Sequence, residues 1–147
     1  MKKIFMLPLC VSLLGCVSAT ITRYDDVQKN RKISVADDYF LSRDLINILH
    51  ANNYDVFIKN KKTDIGYMTI KSNYELLVEA YGFDMCIVGG RAYNFSLSVV
   101  DLSTSKELFN YSGQGCHDTI LDNFTKLINN ESIQKSNTTK ILDLRQQ

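Results

Sequence analysis

Apolar residues are spaced in three ways along this chain, and each spacing predicts a different element. From Ile4 to Leu14 they are nearly continuous, interrupted by Pro8 and Ser12. Further on they become periodic. Leu41, Leu45, Ile48 and Leu49 fall at i, i+4, i+7 and i+8, one stripe of an amphipathic helix over about 37–51. Asp37 or Asp38 is the expected N-cap, and Asn52-Asn53 the stop. Ile120, Leu121, Phe124, Leu127 and Ile128 make a second stripe, with Asp118 as its expected cap. Elsewhere the period is two. Ile33 and Val35 predict a short strand, Tyr54 to Ile58 another, and Phe95, Leu97 and Val99 alternate with serines. After the polar turn 101–106, Leu108, Phe109 and Tyr111 resume a strand, giving a β-hairpin over 93–112 that Gly113-Gln114-Gly115 is expected to end.

Two segments admit two readings. Ile65 to Ile70 suits a strand or an irregular connection. Ser72 and Glu75 match a capping box that would start a short helix. Tyr74, Leu76, Val78 and Ala80 also alternate with acids, and a strand over Ser72–Gly82 fits better beside the neighbouring strands. The expected fold class is α+β, a mainly antiparallel sheet with two amphipathic helices on one face, since that arrangement buries both helical stripes. The expected organisation is a leader at 1–15, a polar tether at 16–32, the folded domain at 33–130 and a polar tail at 131–147. No internal repeat is visible.

The continuous run has a meaning of its own. Lys2 and Lys3 precede it, it is too short to span a bilayer, and Gly15 and Cys16 follow. Leu13-Leu14-Gly15-Cys16 resembles the lipobox of bacterial lipoproteins, although Ala or Ser is commoner where Leu14 stands. The resemblance implies cleavage before Cys16, a diacylglyceryl group on its sulfur and acylation of its new amine. Two or more acyl chains hold a protein stably on a membrane. Val17, where an Asp would signal retention, implies sorting to the outer membrane in a host that has one. The expected localisation is the cell envelope, with the periplasmic face favoured. The alternative is an ordinary secretory signal cut near Ser18-Ala19. The layout of residues 33–130, with the run from Phe95 to Phe109, also resembles small bacterial lipoproteins. It is loosely similar to curli secretion factors and to the N-terminal domain of TolB. That likeness implies a fold and no activity.

Composition narrows the function classes. The 147-residue chain carries 17 Lys and Arg against 16 Asp and Glu; without Lys2 and Lys3 the balance is 15 against 16. A near-neutral surface gives no electrostatic case for nucleic acid. Of the four cysteines, Cys10 leaves with the leader and Cys16 is the lipidation residue. Cys86 and Cys116 remain, and an oxidising compartment favours a disulfide between them, with two free thiols as the alternative. Only His117 stands beside Cys116, too few ligands for a metal site.

No catalytic constellation is visible, so the expectation is no enzyme, no cofactor and no metal. His50 suits the end of its helix as a cation. Asp25-Asp26 fits a solvated tether, Gly89-Gly90-Arg91 a flexible turn, and Lys59 to Lys62 a solvated tip. Arg91, Tyr93 and the hairpin form the expected binding surface. Asn94, Asn110, Asn123, Asn130 and Asn137 each begin an Asn-x-Ser/Thr triplet, which would matter in a glycosylating host. The leading expectation is a lipid-anchored interaction or assembly module, held on the membrane through Cys16 and binding another envelope protein. The alternative is an envelope inhibitor or defence protein that binds a foreign enzyme, a phage component or a small ligand.

Overall fold

The computed structural model describes residues 18–59, 72–136 and 138–145. In chain order the elements are β1 (Ala19–Arg23), β2 (Lys32–Ala36), α1 (Phe40–Ala51), β3 (Asp55–Lys59), β4 (Tyr74–Met85), β5 (Arg91–Asp101), β6 (Lys106–Cys116), α2 (His117–Ile128) and β7 (Thr139–Asp143). The seven strands form one sheet in the order β3-β2-β4-β5-β6-β1-β7.

This sheet is mixed, which corrects the expectation of a mainly antiparallel one. β1–β6, β4–β5 and β5–β6 pair antiparallel, whereas β1–β7, β2–β3 and β2–β4 pair parallel. The physical reason for one parallel pair is the crossover: α1 carries the chain back along the sheet, so β3 enters in the same direction as β2. The segment with two readings is a strand rather than a helix, but it begins at Tyr74 and runs past Gly82 to Met85. Both helices bury their apolar stripes in a single core with one face of the sheet, where Leu45, Leu49, Phe124 and Leu127 meet Ile21, Val35, Leu76, Leu97 and Phe109. Phe95 and Tyr111 contact edge-on at 4.7 Å across β5 and β6.

Four local expectations change. Residues 19–23 are not tether but strand, with Ala19, Ile21 and Arg23 buried and the threonines between them half-buried. Residues 139–143, inside the expected polar tail, form β7 beside them. The run Gly113-Gln114-Gly115 does not end its strand, since β6 continues to Cys116. Gly113 has φ +137°, and a Cβ there would strike the Ser18 carbonyl and come within 2.7 Å of Ala19 Cα, so the glycine is what admits β1 alongside. The helices also lack the expected caps: Tyr39 and Cys116 hold the N-cap positions with no side-chain cap bond. Asp37 instead lies 4.0 Å from Arg43. The stop of α1 is as expected, with Asn53 at φ 64°.

Candidate functional site

Three strands and both helices converge on one end of the sheet. Register places Met85 beside Arg91 and Ala92 beside Cys116, so the β4–β5 turn and the end of β6 are adjacent. The turn itself is Cys86-Ile87-Val88-Gly89-Gly90. Cys86 N–H donates to the Gly90 carbonyl at 2.8 Å, and Asp118 N–H donates to the Gly89 carbonyl at 3.1 Å. Gly89 and Gly90 have φ of 95° and 80°, a conformation that side chains resist. Cys86 and Cys116 are joined in a disulfide, with Cα atoms 6.0 Å apart. The turn is thereby bound covalently to the start of α2.

His117 opens that helix and is held on both nitrogens. Nε2 lies 2.8 Å from Asp44 Oδ2 of α1, and Nδ1 lies 3.0 Å from Asp118 Oδ1. Burial works against its charge, but the bonds to Asp118 and then Asp44 outweigh it, so its pKa is raised from the ordinary value. The Tyr93 ring lies 6.2 Å from the His117 ring. Tyr39 and Tyr81 stack edge-on with hydroxyls 3.1 Å apart, and that shared bond pushes the Tyr39 phenol up to about 12.

Around these polar contacts the surface is apolar. Tyr81, Phe83, Met85, Ile87 and Val88 on β4 and its turn are exposed, with Ile87 at 104% and Val88 at 84%. Phe40, at the start of α1, is exposed at the same end. Behind the tip, on the uncovered face of the sheet, Ser18, Glu79, Tyr81, Asn94, Ser96 and Gln114 line a shallow groove of about 450 Å³.

The expected site residues divide. Cys86 and Cys116 are brought together and bonded. Tyr93 is only 3% exposed, and its ring packs in the core rather than on the surface. Arg91 is exposed, and its side chain lies across Gly82. Cys16 lies outside the described residues. Asn123 and Asn130 are structural: Asn123 Nδ2 donates to the buried Tyr111 hydroxyl at 3.1 Å, and the Asn130 amide bonds both backbone groups of Val27 at 2.9 Å. The apolar tip was missed, although Phe83, Met85, Ile87 and Val88 stand close together with only Asp84 and Cys86 between them.

Chemically, the end can bind and brace. His117 is flanked by two carboxylates, but the neighbouring sulfur is locked in the disulfide and no hydroxyl nucleophile bonds the imidazole in the contacts seen. Among the described residues no group of three or more His, Cys, Asp or Glu side chains converges to hold a metal ion. No helix among them is long and apolar enough to cross a membrane.

No family profile matches the chain, and no curated protein matches it either. Solved structures of the same fold exist. A single-residue variant of the PelC dodecamer from Paraburkholderia phytofirmans superposes with a TM-score of 0.54 at 13% identity, covering 76% of this chain and 95% of that one. A second structure of the PelC dodecamer from the same organism gives 0.50 at 17% identity, covering 76% and 91%. At such identities the likeness is one of fold.

Proposed function

We propose that this protein is a lipid-anchored module of the cell envelope that works by assembling with protein partners, copies of itself first among them. The observation that carries the reading is the run Leu13-Leu14-Gly15-Cys16, followed after Val17 by the point at which the chain enters the folded domain. A lipid on Cys16 would tie the domain directly to the membrane surface, with almost no tether between. The fold adds a second line of support. Its solved neighbours are PelC dodecamers, and among the described residues this sheet ends on β3 at one side and β7 at the other. Edges that no described strand covers, on two opposite sides, suit head-to-tail contacts, which close into rings when the rotation between copies allows. The activity is binding rather than catalysis, and the localisation is the outer membrane, periplasmic face.

Intact mass of the mature protein, comparing the natural chain with Cys16→Ala, tests the anchor. The expected result is a chain beginning at Cys16 with a diacylglyceryl adduct that the variant lacks. A chain beginning near Thr20 without lipid refutes it. Light scattering on the purified protein tests assembly: a stable mass many times that of one chain is expected, and a monomer at all concentrations rules self-assembly out.

A further inference from the structure

We infer that the apolar tip formed by Phe83, Met85, Ile87 and Val88 seats in the lipid bilayer, beside the lipid carried by Cys16. The inference rests on the proposed lipidation for its geometry of approach, and on the exposed residues for its chemistry. Five large apolar side chains between Tyr81 and Val88 face solvent within eight residues, whereas the other exposed ones, such as Tyr24, Ile58, Leu102 and Leu142, are spread along the chain. Exposed apolar groups gathered in this way mark a surface that meets an apolar phase.

The register says which phase. β1 runs antiparallel to β6, with Ala19 level with Gly113. Ser18 accepts a hydrogen bond from Gln114 N–H at 2.8 Å. The described chain thus begins, at Ser18, on the end of β1 that lies toward Cys116 and the tip. One residue, Val17, separates Ser18 from Cys16, so Cys16 is two steps away, a reach of at most about 7 Å. Along β6, Cys116 lies two residues past Gln114, which is also about 7 Å at the rise of a strand. A lipid on Cys16 is thus confined to the end of the molecule where Ile87 and Val88 project. An acyl chain inserted there sets the bilayer surface against the tip. The turn Cys86 to Gly90 joins β4 directly to β5, so Ile87 and Val88 stand at the very end of the two strands. Arg91 sits behind it, placed to remain at the headgroup level while the apolar residues go deeper.

The disulfide gives the tip its stiffness. A five-residue turn with two glycines would otherwise lose conformational freedom on insertion, and the bridge to Cys116 removes much of that loss in advance.

The chain has no tryptophan, so a single indole reports its own surroundings. Two full-length variants, Ile87→Trp and Thr104→Trp, the second at the polar turn of the opposite end, are placed on phosphatidylethanolamine–phosphatidylglycerol vesicles with and without brominated acyl chains. The expected result is blue-shifted, bromine-quenched emission from the first and water-like, unquenched emission from the second. Adding Val88→Asp to Ile87→Trp should weaken vesicle binding of unlipidated protein about tenfold. Water-like emission from both variants on vesicles overturns the inference. So does a blue shift of the first that appears without vesicles and fades on dilution, because the tip then meets a second copy. Mass spectrometry of the same samples reads lipidation separately. If Cys16 is bare, the lipoprotein reading fails while the tip remains testable: at high lipid concentration quenching of the first variant still supports it, and its absence refutes it.

Discussion

The two ends of the central strands close with opposite chemistry. At one end β5 turns into β6 through Leu102-Ser103-Thr104-Ser105, a polar turn that satisfies itself. Asp101 Oδ1 accepts from Ser103 N–H at 2.8 Å, from the Ser103 hydroxyl at 2.6 Å and from Thr104 N–H at 3.4 Å, and Ser105 takes φ 57°. The bonds from Ser103 hold the Asp101 carboxyl below its usual range. At the other end β4 turns into β5 through Cys86 to Gly90, which is apolar and tied to β6 and α2 by a disulfide. Local hydrogen bonds are enough to shape a turn in water. A covalent clamp on apolar residues answers a different demand, that of keeping a tip rigid where water does not reward its side chains.

The largest expected effect that separates the ends is loss of the clamp. Cys86→Ser with Cys116→Ser should cost about 3–4 kcal/mol in the chain-entropy model and lower the melting temperature by roughly 10–20 °C. An unchanged melting curve would make the clamp irrelevant to stability. Second, Asp101→Ala should destabilise by about 1 kcal/mol and Asp101→Asn by less, since the amide keeps an acceptor; urea denaturation measures both. Because the folded pKa of Asp101 is depressed, its contribution is present above the unfolded value near 3.8 and is lost as pH falls through the folded value. The acid arm of the stability profile should therefore flatten in Asp101→Asn.

Third comes His117, at the clamped end. Its folded pKa is raised, so its contribution is complete below the unfolded value of 6.5 and is lost as pH rises through the folded one. Asp44→Asn should lower the His117 titration midpoint followed by proton NMR, and an unmoved midpoint would mean that the 2.8 Å contact carries no charge coupling. The smallest effect is expected from Ile87→Asp. Its side chain is fully exposed in the isolated domain, so stability should stay within about 0.5 kcal/mol. A large loss there would show that the tip serves the fold rather than a partner.

The sequence made the helices and the β5–β6 hairpin legible because each has a dedicated apolar period: Leu41 to Leu49 and Ile120 to Ile128 can face a core only as helices, and Phe95 to Val99 only as a strand. The parallel pairing was available in principle from the order strand, helix, strand across Ile33 to Ile58, which an antiparallel neighbour pair does not need. β1 and β7 were hidden by composition. Ala19-Thr20-Ile21-Thr22-Arg23 has one large apolar residue, and its burial depends on partners about ninety or more positions away, Gly113 and Thr139. Arg23 is buried by satisfying the Glu131 carbonyl at 2.7 Å, a solution no local pattern announces. The tip was invisible for the converse reason: exposed apolar residues in a strand look like core until the sheet shows which face is covered.

The position of β1 also dictates a sequence of events in time. Ala19 to Arg23 leave the ribosome early, yet the strands that flank them, β6 and β7, are made late. Ile21, wholly buried in the finished domain, has nothing to bury against until Tyr111 and Ile141 exist. Pairings between residues so distant in sequence form slowly. β1 is thus the strand that waits longest for its partners, and its pairing with β6 and β7 closes that side of the sheet.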